Sequence, residues 1–128
     1  MTRFIVGAIL ALALVGVAAA GGGHVKAPLE PVGGSGVTGT VQLQQLPHGG
    51  SNVHVVAHGL EPGATYTSFY YDDNQCQVGP EEVGTYTANA SGTGTTHAKI
   101  DDDVDEVGSV SVRTPDYSVL FACADTSG

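Results

Sequence analysis

The sequence predicts an all-β protein, an antiparallel β-sandwich of about seven strands, and three observations lead to this prediction. First, beyond the apolar N-terminus, no segment shows the 3.6-residue periodicity of an amphipathic helix. Second, short segments with alternating apolar and polar residues recur along the chain, and Val, Thr and Tyr are frequent in them. Third, Gly, Pro, Asn and Asp separate these segments, as tight turns require.

Residues 1–20 are predicted to be a cleaved signal peptide. Arg3 supplies a positive charge, an apolar or small run follows, and the run ends in Ala18-Ala19-Ala20, which matches the A-x-A cleavage pattern. A membrane anchor is the alternative, but the run is slightly short for a span of ~20 residues and no basic cluster follows it. We therefore expect an exported protein, secreted or periplasmic, with no membrane attachment after cleavage.

The chain that remains after cleavage is strongly acidic. Without Arg3 it keeps three basic residues against 13 acidic ones, which gives a net charge of −10. Lys26, Lys99 and Arg113 are too few to form the clustered positive surface that phosphate binding needs, so nucleic acid is not expected as a partner. The acidity favours solubility outside the cytoplasm.

Residues 21–36 are rich in Gly and Pro without periodicity, and they are predicted to be a flexible lead-in. Residues 37–128 are predicted to be the β-sandwich domain, with one modest core. Its strands are predicted, in chain order, in the segments GVTGTVQLQQL, NVHVVAHG, TYTSFYY, VGTYTANA, GTTHAKI, VGSVSV and YSVLFACA. The last segment is apolar on both faces, so we expect it to be central in its sheet.

Alternation is clearest in the first two segments. Their apolar faces consist of Val37, Val41, Leu43, Val53, Val55 and Ala57. The opposite face of the second segment carries His54, Val56 and His58. The two histidines are four residues apart, about 13 Å at ~3.3 Å per residue, which is too far to bind one metal ion together.

The turn GLEPGA brings the next strand alongside these histidines, so Ser68 or Tyr70 is predicted to lie across from them. His48, in LPHGG, and His97, in GTTHAKI, are isolated in the sequence. The histidines are expected to be polar side chains on a solvated sheet face. A metal-binding role for them is the alternative.

Two further patterns could bind metal. Asp101, Asp103 and Asp105 alternate in DDDVDEVG, but Glu106 and Val112 stand where an EF-hand loop needs Gly and Glu. We expect a solvated acidic loop there, with an irregular, weak Ca²⁺ site as the alternative. Cleavage after Gly21 would expose Gly22-Gly23-His24, a square-planar site for Cu(II) or Ni(II), whereas cleavage after Ala20 would place the histidine fourth.

The two cysteines, Cys76 and Cys123, are expected to form one disulfide, because the count is even and the compartment is oxidising. Such a bond could stabilise the fold by ~4 kcal/mol on the chain-entropy model. No Ser-containing G-x-S-x-G elbow is present in the sequence, so the residues indicate no nucleophilic catalysis.

Several stretches resemble the copper/zinc superoxide dismutase family. Residues 59–63, Gly-Leu-Glu-Pro-Gly, are similar to the Gly-Leu-x-x-Gly turn that precedes the family's copper-binding strand. Residues 121–124, Phe-Ala-Cys-Ala, resemble its final Leu-Ala-Cys-Gly strand, and residues 109–113 resemble the strand before it. The resemblance implies a Greek-key sandwich or flattened barrel of about seven to eight strands. It also implies a disulfide from Cys76, in the loop after the copper strand, to Cys123.

The same resemblance implies that the metal site is lost. Ser68, Tyr70 and Arg113 stand at the positions of three copper histidines, and the family's active-site arginine falls on Leu120. Residues 74–84, where the family has its zinc loop, contain no histidine. A rival alignment assigns the third copper histidine to His97, but it leaves SVSVRT unexplained.

Three functions follow from these features. The first is an exported, non-catalytic dismutase-like module that binds an unknown extracytoplasmic ligand or protein or has a structural role. It would have no cofactor and no superoxide dismutase activity. The second is an extracytoplasmic copper- or zinc-binding protein, whose candidate ligands are His24, His54, His58 and His97. The third is an immunoglobulin-like adhesion module.

Overall fold

A computed structural model describes residues 23–127, so the predicted signal peptide lies outside the described residues. Eight strands alternate with turns and one 3₁₀ helix, Val104–Glu106. All strand pairs are antiparallel, which confirms the predicted fold class. Within this range no helix is long and apolar enough to cross a membrane. Strands β1 to β8 are His24–Pro31, Thr38–Gln45, Ser51–His58, Thr65–Tyr71, Glu81–Thr87, Gly94–Ile100, Ser109–Arg113 and Leu120–Asp125.

The strands form one nearly closed, barrel-like sheet in the order β5-β4-β7-β8-β1-β2-β3-β6. The sheet has two halves, β5-β4-β7-β8 and β1-β2-β3-β6. Strand β1 joins them, because it pairs with β2 over residues 24–29 and with β8 at Glu30 and Pro31. The two end strands approach each other at Gly84 of β5, where a Cβ would overlap Oγ1 of Thr96 in β6. A glycine at this position therefore allows the barrel to close.

The core lies between the two halves, and its side chains are the apolar residues of the predicted apolar–polar alternation. In β2 and β3, Val41 lies opposite Val55 and Leu43 opposite Val53, and all four are fully buried. The two strands thus present one apolar face to the interior and one polar face to solvent, as predicted. The other half contributes its own inward residues, among them Tyr66, Tyr70, Val110, Val112, Ala122 and Ala124.

The predicted flexible lead-in over residues 21–36 is wrong for residues 24–31, which form β1. Ala27 and Leu29 are buried on its inner side, so the segment has the alternation of a strand, although its prolines obscure it. Gln45 N donates to Gly23 O, and hydrogen-bonded pairs then alternate along the ladder. Pro28, opposite Thr40, falls on a non-hydrogen-bonded position, where its missing N–H leaves the ladder with β2 intact.

The last strand is central, as predicted, since β8 lies between β7 and β1. It is shorter than the segment YSVLFACA, because Tyr117 adopts a φ of 70° and residues before Leu120 form a turn. Ala122 and Ala124 point inward, whereas Cys123 lies between them on the outer side. This orientation puts Cys123 on the face that carries the disulfide.

Candidate functional site

Two of the three positions that the resemblance assigns to copper face the barrel interior. Ser68 lies opposite Gly84 of β5 and Val112 of β7 and is fully buried. Its Oγ is 2.7 Å from the hydroxyl oxygen of Tyr86. Tyr70 lies opposite Val110 and is also buried in the core. Both side chains are therefore part of the packing.

The third position, Arg113, lies on the outer face. Its Nε donates to the Tyr71 hydroxyl at 2.9 Å, and one terminal nitrogen donates to Cys76 O at 3.2 Å. The guanidinium carbon lies 3.8 Å from the centre of the Tyr117 ring, a cation–π contact. Ser68 and Tyr70 are thus separated from Arg113 by the sheet itself, and the structure does not bring the three together.

The outward positions of β4 differ by one residue from those that the resemblance assigns to copper. Because Tyr71 contacts Arg113 and side chains alternate along a strand, the outer face of β4 carries Thr67, Phe69 and Tyr71. Phe69 packs edge-to-face on Tyr117, with ring centroids 5.1 Å apart. A run composed only of hydroxyl and aromatic side chains does not reveal in the sequence which of its residues face outward.

Protonation further weakens the interior tyrosines as metal ligands. Burial, followed by the nearby carboxylates of Asp102 and Glu81, raises the pKa of Tyr70 well above its usual range. Burial also raises the pKa of Tyr86 to about 12. Both shifts disfavour the phenolate, which is a better metal ligand than the neutral phenol.

The predicted disulfide Cys76–Cys123 is confirmed, with Cα atoms 6.1 Å apart. It fastens the loop after β4 onto the outer face of β7 and β8. Ser109 extends this connection, because its Oγ accepts from Cys76 N at 3.0 Å and donates to Asp73 O at 2.6 Å. With Arg113, these contacts build a polar network under the loop whose geometry is that of a structural support.

Two aspartates hold the turns beside this network. Asp73 accepts backbone N–H groups from Gln77 and Val78 through one carboxylate oxygen. Asp116 accepts from the Thr114 and Ser118 hydroxyls, both at 2.7 Å. These hydrogen bonds favour the ionised form, so they lower the pKa of Asp73 and bring the pKa of Asp116 to about 2, with the bond from Ser118 contributing most.

Acid should therefore destabilise the fold below about pH 4. A carboxyl whose pKa is lowered on folding contributes its full stabilisation above its unfolded pKa of ~3.9 and loses it as the pH falls through the folded value. We expect the urea midpoint to be flat from pH 7 to about pH 5 and to fall between about pH 4 and pH 2. Urea unfolding followed by circular dichroism at a series of pH values measures this.

The variant Asp116→Asn should have a lower urea midpoint at pH 7 and a smaller fall of that midpoint in acid. An unchanged fall in acid would contradict the assignment to Asp116.

The histidines on the other half of the barrel fall into two groups. His54 and His58 share the outer face of β3, as predicted. His97, expected to be isolated, lies directly opposite His54, and their ring centroids are 5.6 Å apart. His58 stands apart from this pair, with its Nδ1 3.1 Å from the Thr93 hydroxyl.

The predicted placement of Ser68 or Tyr70 across from His54 and His58 is wrong. The neighbours of β3 are β2 and β6, because the turn GLEPGA carries the chain to the other half of the barrel and does not form a hairpin. No local signal could have revealed His97 as the partner of His54, since a long stretch of chain separates the two strands. His24 joins them at a shallow hollow of about 220 Å³.

The acidic loop is arranged around the 3₁₀ helix. Carboxylate oxygens of Asp103, Asp105 and Glu106 lie within 4.8 Å of one another, whereas Asp101 is not part of the group. Asp103 accepts from Gln45 Nε2 and Gly50 N, both at 2.8 Å, and these bonds lower its pKa. Glu106 accepts from Asp103 N, which completes a capping box. Two of the three carboxylates thus have a structural role.

A groove of about 920 Å³ lies between the start of β1 and the end of β8. Its lining includes the charged residues Lys26, Asp103 and Glu106. It lies away from Ser68 and Arg113. Of the predicted Gly22-Gly23-His24 copper site, Gly22 lies outside the described residues.

Comparison with known proteins assigns no family. Neither protein-family models nor curated proteins match this chain.

Proposed function

We propose that this chain is an exported, non-catalytic β-sandwich module of superoxide-dismutase-like fold, with a binding or structural role and without the family's metal site. One observation carries the proposal. Ser68 is buried inside the barrel and bonded to Tyr86, whereas Arg113 is held on the opposite face by Tyr71 and Cys76. The residues at the positions that the resemblance assigns to copper ligands thus make packing and hydrogen-bond contacts within the protein.

The path of the chain supports the dismutase-like part of the proposal. Strand β5 pairs with β4 and approaches β6 at Gly84, and β7 returns to lie beside β4. With β5 and β6 taken as neighbours, this order would match that of a Greek key. An immunoglobulin-like sandwich would combine its first, second, fourth and fifth strands in one sheet, whereas here β1 and β2 neighbour β3 and β6. The strand order therefore disfavours the adhesion-module alternative.

The chemistry of the outer face supports the non-catalytic part. Superoxide dismutation needs a redox-active metal that several imidazoles hold while one position stays open. Arg113 occupies this face, and a guanidinium cannot lose its proton to become a ligand. The net charge of −10 also repels an anionic substrate.

Export is supported by the disulfide, because such bonds persist in oxidising compartments outside the cytoplasm. A secreted or periplasmic location is part of the proposal. A pull-down from the native extracytoplasmic fraction would identify what the module binds.

A superoxide-consumption assay tests the proposal. The full exported chain, purified without an affinity tag and reconstituted with copper and zinc, should consume superoxide no faster than the same amount of free copper. A chain with Arg113→Ala serves as a second sample, since removing the guanidinium should not create activity if imidazole ligands are missing on this face. A rate well above that of free copper in either sample would overturn the proposal.

A further inference from the structure

The outer face of β1, β2, β3 and β6 carries two imidazoles side by side. His54 and His97 are both exposed and lie directly opposite each other on β3 and β6. Leu46 N donates to Gly50 O, so by alternation the N–H and C=O of His54 point toward β2. The pair with His97 is therefore a non-hydrogen-bonded pair, in which the Cα atoms are about 4.5 Å apart and the side chains approach most closely.

The separation of the two rings suits a shared metal ion. An imidazole nitrogen binds Zn²⁺ at ~2.0–2.1 Å. The ring centre lies roughly 1.2 Å behind that nitrogen, so two imidazoles on one tetrahedral ion place their centres about 5.3 Å apart. The observed distance between the centres is 5.6 Å, with the ring planes at 60°. The observed separation therefore differs by only about 0.3 Å from the one that a shared ion would impose.

The surroundings of the pair favour a transition metal over calcium or magnesium. His24, Gln42 and Asn52 line the same hollow, so the available donors are imidazole nitrogens and neutral amide oxygens. Ca²⁺ and Mg²⁺ prefer carboxylate and other oxygen ligands. Imidazole suits Zn²⁺, Cu²⁺ and Ni²⁺.

Two lysines share this face and oppose a cation locally. Lys99 lies two residues along β6 from His97, and Lys26 lies on β1 opposite Gln42. Both are exposed, so the high dielectric constant of water weakens their repulsion of a bound cation without removing it. The net charge of −10 attracts cations to the molecule as a whole.

We propose that His54 and His97 together bind one divalent transition-metal ion, with Zn²⁺ as the reference case. The site lies on the half of the barrel opposite to Ser68 and Arg113, so it is separate from the position of the dismutase copper. It adds a binding activity to the module proposed above and does not depend on the dismutase resemblance.

Isothermal titration of the tag-free exported chain with Zn²⁺ tests the proposal. We expect one ion per chain, and His54→Asn or His97→Asn should each weaken binding at least about tenfold, because changes even in the groups that support metal ligands cost 10–100-fold. His58→Asn is the matched control. His58 is also exposed and lies on the same strand and face as His54, and its replacement should leave Zn²⁺ binding unchanged. Zn²⁺ is the probe because a Gly-Gly-His terminus selects Cu(II) and Ni(II).

A second measurement uses only the wild-type chain, so it does not depend on whether a variant folds. In proton NMR spectra of the wild-type chain, Zn²⁺ should shift the imidazole resonances of His54 and His97 and leave those of His48 and His58 in place. The proposal is overturned by an absence of Zn²⁺ binding, by an equal loss in His58→Asn, or by shifts confined to other histidines. The superoxide assay tests the module's lack of activity separately, so the two proposals can fail independently.

Discussion

Replacing Cys123 with serine should lower the free energy of unfolding by ~2–5 kcal/mol, the usual loss when a small secreted domain loses a native disulfide. The bond joins residues 47 positions apart, and a closed loop of that length restricts the unfolded chain strongly. The native state also loses order, because Cys76 N donates to Ser109 and Cys76 O accepts from Arg113. Without the covalent link these contacts must hold the loop alone.

Urea unfolding of the oxidised wild type and of Cys123→Ser measures this loss. The double variant with Cys76→Ser separates the missing bond from the effect of an unpaired thiol, and it should be destabilised by a similar amount. Val119→Ser is a control near the same strand. Val119 is 45% exposed, so its change should stay within about 0.5 kcal/mol. Alkylation of both cysteines in freshly exported protein, or an unchanged urea midpoint, would show that the bond does not stabilise the native protein.

The sequence predicted the parts of the fold that local pattern determines. In β2 and β3 the period of two placed Val41, Leu43, Val53 and Val55 on one face, and all four are buried. A strand at the surface of a sandwich must bury one face and hydrate the other, so the alternation in its sequence shows which side chains face the core. The single cysteine pair was predictable for a similar reason, since two cysteines allow one intramolecular bond.

The features that the sequence did not predict depend on contacts between residues that are distant in the chain. Strand β1 was missed because Pro28 and the flanking glycines are typical of loops, whereas the pairing with β2 and β8 that stabilises it lies elsewhere in the chain. The His54–His97 pair was missed because β3 and β6 are not consecutive. The orientation of β4 was ambiguous because both of its faces carry hydroxyl and aromatic side chains, so neither face was visibly apolar.

The orientation of β4 leads to a second large expected effect. Ser68→His, which restores the histidine that the resemblance implies, should lower the free energy of unfolding by ~2–5 kcal/mol. Ser68 is fully buried and bonded to Tyr86. Adding an imidazole to a packed core costs typically 1–3 kcal/mol, about as much as leaving a buried polar group without its partner.

Phe69→His is the matched comparison, because it places the same residue one position along the strand on the outer face. Phe69 is half-buried, and its replacement should cost only ~0.5–1.5 kcal/mol through the lost edge-to-face contact with Tyr117. In urea unfolding, the free energy of unfolding of Ser68→His should therefore be lower than that of Phe69→His by ~2 kcal/mol, because only Ser68 faces the packed interior. Equal stability would mean that Ser68 has room on an open face and would revive the view that it stands at an emptied metal site. The larger loss at Ser68 would instead mean that β4 accepts an added imidazole at low cost only at outward positions such as Phe69, beside Tyr117.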